Sequence, residues 1–291
     1  IAVNKPIGMV VQPMESSPNH TLLNGIFHHL IRSNQCDRND ANVAQSLLQG
    51  VVHRLDKDTS GIVVVAKTLE ASSKLSRSFK SRLVRKSYFA VTRGQPSMPP
   101  TKIIDDKPIY IIDAPLLKKS SGKMAVERKA EMDTKEAVTT VTTVGTSPDS
   151  LLSVHEVSIS TGRQHQIRVH LSHVKCPVLG DRLYGDERTK KLAKGMNIKR
   201  PLLHAVSLTF PHPIYDREMN LRSPVPKDMI RFVRSVLEPE KNVKREEVEV
   251  EKEKVEVVEE KRKDKVARKA TKKVSLNIAA LAQVAVQKAV K

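Results

Sequence analysis

Hydrophobic positions along this chain follow two periods that alternate. Leu22, Leu23, Ile26, Phe27, Leu30 and Ile31 fall near a 3.6-residue repeat, which predicts an amphipathic helix over 21–32. Leu75, Phe79 and Leu83 recur every four residues behind a capping Thr68 and predict a second helix, with Lys74, Arg77, Lys80 and Arg82 on its other sides. Tyr88–Thr92 alternates instead, sending Tyr88, Ala90 and Thr92 to one face and Phe89 and Val91 to the other. Ile103–Val144 breaks into short apolar and polar runs that read as further antiparallel strands, and Leu151–Ile159 and Leu202–Phe210 read as longer ones. Thr161 and Gln164 have the spacing of a capping box, so a helix is expected from about Gly162, with Ile167, Leu171 and Val174 as its buried stripe. Pro224–Leu237 reads as a closing helix. At the start, Ile1–Val3 and Met9–Val11 flank a Lys5-Pro6-Ile7-Gly8 turn, which predicts a hairpin. Asn34–Ala41 reads as a surface loop. Ile1-Ala2-Val3 reads as a strand already under way, so a segment upstream is expected.

The pattern ends at Glu238. Residues 246–260 hold eight acidic and two basic side chains, and residues 261–273 hold eight basic and one acidic. This segment has no surface to bury in a core, so it is expected to be a solvated helix or disordered, with a short amphipathic helix over Ile278–Val290. The domain reading is therefore 1–237 as the folded unit and 238–291 as a charged low-complexity tail. Residues 1–239 carry 36 of the 51 basic and 22 of the 32 acidic side chains, a net charge of +14 out of +19 for the chain. The folded part is thus basic in its own right, which suits a polyanionic partner. Two cysteines give no disulfide framework and point to a reducing compartment, which leaves cytoplasm, nucleus and organelle open. No apolar run reaches the roughly 18 residues of a membrane span, and no membrane partner is expected.

The stretch Val51–Gly61 leading into Ile62–Ala66 concentrates the chemistry. A charged segment is enclosed by apolar runs, so it reads as a loop gripped by buried strands, with His53, Arg54, Asp56, Lys57, Asp58, Thr59 and Ser60 held in place. His53-Arg54-Leu55-Asp56 followed by Thr59-Ser60-Gly61 resembles the signature of the RluA-type RNA pseudouridine synthases. Asn4–Val11, Lys86-Ser87-Tyr88-Phe89-Ala90 and Thr161–His170 agree in the family's order. Leu179-Gly180-Asp181 with Tyr184-Gly185, and Leu203-His204-Ala205 with Phe210–Pro213, extend the resemblance to about residue 228.

The resemblance implies an α+β fold with a mainly antiparallel mixed sheet flanked by helices around a central catalytic cleft. It implies isomerisation of uridine to pseudouridine in structured RNA, ribosomal RNA first and transfer RNA second, by a monomer that needs no cofactor and no metal. Asp56 takes the place of the catalytic carboxylate, Arg168 of the guanidinium that keeps it ionised (with Arg163 the weaker candidate), Tyr88 of the pocket tyrosine and Arg54 of the base-flipping arginine. His53, Leu55, Thr59, Gly61, Arg163, His165 and Gln166 are expected to support the loop and pocket. The RNA-binding module that many relatives carry ahead of the catalytic domain is not read in this sequence. Among rivals, His170-x-x-His173-x-x-Cys176 has a spacing that could pinch a metal but lacks a fourth ligand. Kinase and hydrolase readings fail for want of their companion motifs. The remaining alternative is a non-catalytic RNA-binding or ribosome-assembly protein on the same scaffold.

Overall fold

The computed structural model describes residues 1–15, 17–36, 41–127 and 133–237. The expected charged tail lies outside the described residues, as do Arg128 and Lys129 within the Ile103–Val144 run. The strands are β1 Ala2–Lys5, β2 Ser60–Val64, β3 Arg85–Arg93, β4 Lys102–Ile104, β5 Lys107–Asp113, β6 Leu116–Lys118, β7 Met124–Val126, β8 Val138–Thr146, β9 Leu152–Ile159, β10 Leu203–Pro211 and β11 Glu218–Arg222. The helices are α1 Leu22–Arg32, α2 Ala41–Gln49, α3 Leu69–Lys80, α4 Gln166–His173, α5 Glu187–Gly195 and α6 Lys227–Leu237. Among the described residues, no helix is long and apolar enough to cross a membrane.

The main sheet runs β1-β2-β10-β3-β9-β8-β5-β4, with β11 beside β10, and β6 and β7 form a separate hairpin. Every pairing in it is antiparallel except β2 with β10, which is the α+β arrangement expected. The two-residue period places one core on each face of the sheet. Tyr88, Ala90 and Val157 join the larger cluster with α1, Leu47 of α2, Leu75 of α3 and Ile167 and Leu171 of α4. Phe89, Val91 and Val154 join the smaller one, with Ala193 of α5 and Met229 of α6. Tyr88 and Phe89 thus face opposite ways, as their alternation predicts.

Several expectations need correction. Met9–Val11 forms no hairpin with the first strand; β1 pairs with β2 instead, because the Ile62–Val64 run offers it a fully buried partner. The segment before the central loop is helix α2, and Val51 makes only an isolated bridge to Val65, so the loop is gripped by a helix and a strand rather than by two strands. Helix α3 stops at Lys80, which leaves Leu83 exposed rather than on its buried stripe. Thr161 and Gln164 form no capping box. Helix α4 begins at Gln166 behind His165, while the Thr161 hydroxyl donates to Gln166 Oε1, so the polar residue that closes this corner lies two positions further on. Helix α5 and strand β11 were not expected at all.

Candidate active site

The central loop is clamped from three sides. From below, Lys5 is wholly buried, and its ammonium donates to the carbonyls of Pro6, Met9 and Lys57, using all three of its hydrogens. Burial lowers its pKa to about 8, with the Asp58 and Asp56 charges acting the other way. From the side, His53 Nε2 accepts the Val64 N–H at 2.9 Å while its ring stacks on Phe79 at 4.9 Å. Burial, helped by the Lys86 charge, depresses this imidazole to about 4, so it is the neutral acceptor that the Val64 amide needs. At the exit, Gly61 has φ +124°, and a Cβ there would stand 2.2 Å from the Ala205 carbonyl oxygen. Glycine is what lets β2 and β10 run side by side at this point. Leu55 and Thr59, within the same loop, are buried.

Held this way, Asp56 projects into a cleft of about 630 Å³ also lined by Arg54, Lys86, Tyr88, Arg163, His165 and Arg168. Arg168, 112 residues away on α4, donates Nη1 to Asp56 Oδ2 at 2.9 Å. The rest of its guanidinium is gripped by Asp181, Nε to Oδ2 at 2.7 Å and Nη2 to Oδ1 at 2.9 Å. Asp181 Oδ1 in turn accepts the backbone amides of Leu183 and Tyr184. Burial opposes the Arg168 charge, but the hydrogen bonds and charges of Asp181, then those of Asp56, outweigh it and hold the guanidinium protonated. His165 Nε2 lies 3.8 Å from Asp56 Oδ1. Burial, and then the Asp56 charge, raise the Tyr88 phenol well above its ordinary value, so it stays a neutral hydroxyl.

The expected residues distribute as follows. Asp56, Arg168, Tyr88, His165 and Arg54 share the cleft. Of the two arginine candidates, Arg168 makes the ion pair, whereas Arg163 directs its Nε to the Glu136 carbonyl. Arg54 is exposed, and no ion pair joins it to Asp58 among the described residues. Gln166 is buried and structural, bonding Thr161, Val138 and Thr139. His170 is occupied by Thr139 and the Ala114 carbonyl, away from Cys176. Among the described residues no group of three His, Cys, Asp or Glu side chains is disposed to hold a metal.

Three participants carry no role in the sequence reading: Asp181, Tyr184 and Lys86. All fall inside matched stretches, so the signal was present without a function attached. Lys86 lines the cleft with its ammonium 5.9 Å from the Phe79 ring centre and 3.3 Å from the Thr161 carbonyl oxygen. Burial, then the Arg163 charge, lower its pKa to about 8.

A fixed carboxylate beside a permanent cation, with a neutral phenol on the cleft wall, suits nucleophilic or general-base work on a flat, uncharged ring. Comparison with known proteins agrees. The family model for RNA pseudouridylate synthase matches residues 1–173. Ribosomal large subunit pseudouridine synthase D of Zymomonas mobilis is 34% identical over 233 residues, 79% of this chain and 67% of that protein. The protein of the same name from Pseudomonas aeruginosa is 35% identical over 243 residues, again 79% and 67%. Among solved structures, Human RNA Pseudouridylate Synthase Domain Containing 4 aligns with a TM-score of 0.60 over 81% of this chain and 89% of that one, at 24% identity. Human RNA Pseudouridylate Synthase Domain Containing 1 aligns with 0.55 over 78% and 81%, also at 24% identity; both likenesses speak to the fold.

Proposed function

The chain belongs to the RNA pseudouridylate synthase family, and from that premise we propose which residues convert uridine to pseudouridine and in which RNA. The enzyme isomerises uridine in RNA: the bond from a uracil nitrogen to the ribose carbon breaks, the base turns over, and a ring carbon bonds to the ribose and gives up its proton while the freed nitrogen gains one. Atoms balance within the nucleotide. Asp56 is the catalytic carboxylate, acting as nucleophile or base. Arg168 pairs with it at 2.9 Å and offsets the cost of bringing a charge into the cleft; at an effective dielectric near 20 a pair of charges about 4 Å apart gains about 4 kcal/mol. Tyr88 offers a ring for the uracil to pack on and a hydroxyl that donates, since its raised pKa disfavours the phenolate. Arg54, exposed at the cleft two residues before Asp56, occupies the space the extruded base leaves, offsetting a few kcal/mol of unstacking.

Ribosomal RNA is the first substrate class and transfer RNA the second; ribosomal RNA is favoured because the relatives above bear ribosomal names. Residues 1–237 act as the catalytic unit, as a monomer, with the tail as a separate charged segment. The observation that carries the reading is the 2.9 Å Arg168–Asp56 pair inside a cleft large enough for one pyrimidine. The test is pseudouridine mapping in ribosomal and transfer RNA treated with the full chain and with Asp56→Asn. Loss of every modified site with RNA affinity retained is expected. Unchanged modification would refute the assignment of Asp56, and no modification by either protein would favour the RNA-binding alternative.

A further inference from the structure

His165 is a non-glycine residue in the left-handed region, φ 55° and ψ 17°, immediately before helix α4. That conformation is uncommon for a residue with a Cβ, because its side chain crowds the backbone there. A residue in this place ordinarily caps the helix, yet His165 makes no side-chain capping bond. Its imidazole turns instead toward Tyr184, with Nδ1 2.7 Å from the phenolic oxygen, and its other nitrogen faces Asp56 Oδ1 at 3.8 Å.

The far end of this hydrogen-bonded series constrains its polarity. The Met124 backbone amide donates to the Tyr184 oxygen at 3.2 Å, and an amide can only donate. The phenol has one hydrogen. If it accepts from Met124 and leaves no donor unused, that hydrogen goes to His165 Nδ1. The imidazole then carries its own proton on Nε2, directed at the carboxylate.

We propose that Tyr184 and His165 are positioning residues for the proposed Asp56 chemistry: the Tyr184 hydroxyl selects the Nε2–H tautomer of His165, whose N–H orients Asp56 Oδ1. The proposal rests on the reading of Asp56 given above. One hydrogen bond to Oδ2 leaves the carboxylate free to turn about its own axis, whereas donors facing both oxygens fix its plane. The present 3.8 Å exceeds a hydrogen bond, and an unliganded site commonly tightens when substrate fills it. Burial disfavours the imidazolium, with the Asp56 charge opposing and the Arg168 charge reinforcing, and the net effect lowers this histidine below its ordinary value, consistent with a neutral ring. Asp181 supports both arms, since it grips Arg168 and accepts the Tyr184 amide.

Two measurements on the full chain test this. Long-range proton–nitrogen correlation spectra of its ten histidines, assigned with His165→Gln, should place the His165 proton on Nε2 in the parent. Tyr184→Phe should shift His165 toward the other tautomer. A proton on Nδ1 in the parent, or an imidazolium at neutral pH, would overturn the proposal whether or not the protein modifies the RNA supplied. The second measurement is kcat on a ribosomal RNA transcript for His165→Gln and His165→Asn. Asparagine tolerates the left-handed backbone better than glutamine, so a purely structural role predicts that Asn is the better replacement in both stability and rate. The relay predicts the reverse for rate: Gln, whose amide reaches the Nε2 position, retains about tenfold more kcat than Asn at similar KM, even if it melts lower. Asn equal to or faster than Gln would sink the relay. Tyr184→Phe should lose about tenfold in kcat and add little to the loss in His165→Asn; independent, multiplying losses would likewise refute it.

Discussion

Replacing Asp181 separates the strength of the fold from the precision of the cleft. The side chain is wholly buried and accepts four hydrogen bonds, two from Arg168 and one each from the Leu183 and Tyr184 amides. Removing one partner of a buried ion pair costs about 3–5 kcal/mol. In Asp181→Ala the guanidinium keeps its bond to Asp56, whose side chain is 25% exposed at the cleft, so water can reach the pair and the lower end applies, about 3 kcal/mol. At roughly 2–4 °C per kcal/mol for a domain of this size, Tm should fall by about 6–12 °C. Asp181→Asn retains a carbonyl for the two amides but loses the charge. It should melt closer to the parent while still freeing Arg168 to swing. An error of about 1 Å in the placement of a catalytic group can cost about a hundredfold. Both variants should therefore lose about that factor in single-turnover pseudouridine formation on a ribosomal RNA transcript, with RNA affinity nearly unchanged. Asp228→Asn is the control: it breaks the bidentate Arg200–Asp228 pair, which supports helix α6 away from the cleft, so some Tm but no turnover should be lost. An Asp181→Asn protein that turns over normally would refute the claim that Asp181 aims Arg168.

Three further outcomes follow from the geometry. Gly61→Ala would push a Cβ into the Ala205 backbone carbonyl at a φ that L-residues avoid, so a drop in Tm of 10 °C or so, or failure to fold, is expected; an unchanged melting curve would contradict the register of β2 on β10. His155 is enclosed by Thr92 and Thr143, and burial depresses it to about 4 against an ordinary 6.5. The unfolded chain therefore takes up the proton first, and stability falls as pH drops from 6.5 to 4, by about 3 kcal/mol for this group. His155→Gln should flatten that part of a denaturant-derived stability profile, part of which His53 will retain. Arg54→Ala should leave Tm unchanged and cut kcat/KM at least tenfold on folded RNA, with a smaller loss on a short unstructured strand whose uridine needs no extraction. Equal losses on both would exclude a flipping role.

Local pattern was enough for those elements whose cause is local. Thr21 and Thr68 cap helices α1 and α3 within a residue of where periodicity and capping chemistry predict them. The alternation in β3 separated Tyr88 from Phe89 because a strand's side-chain period is independent of what packs on it. The motif stretches named Asp56, Tyr88 and Arg168 together, and the family resemblance carried the fold class with them. Helix α4 was misplaced because Thr161 and Gln164 satisfy a capping rule locally, whereas Gln166 reaches Thr139 and Val138 on a strand distant in sequence, and that contact won.

The 2.9 Å contact of Arg168 with Asp56, the part played by Asp181, and the direction of the His165 ring all depend on side chains that meet across 13 to 112 residues. A linear pattern records which groups are present and which face of their own element they occupy. Which charge stands 2.9 Å from which is set by the order of strands in the sheet and by the angle at which α4 lies on it. That information exists only once the chain has closed on itself.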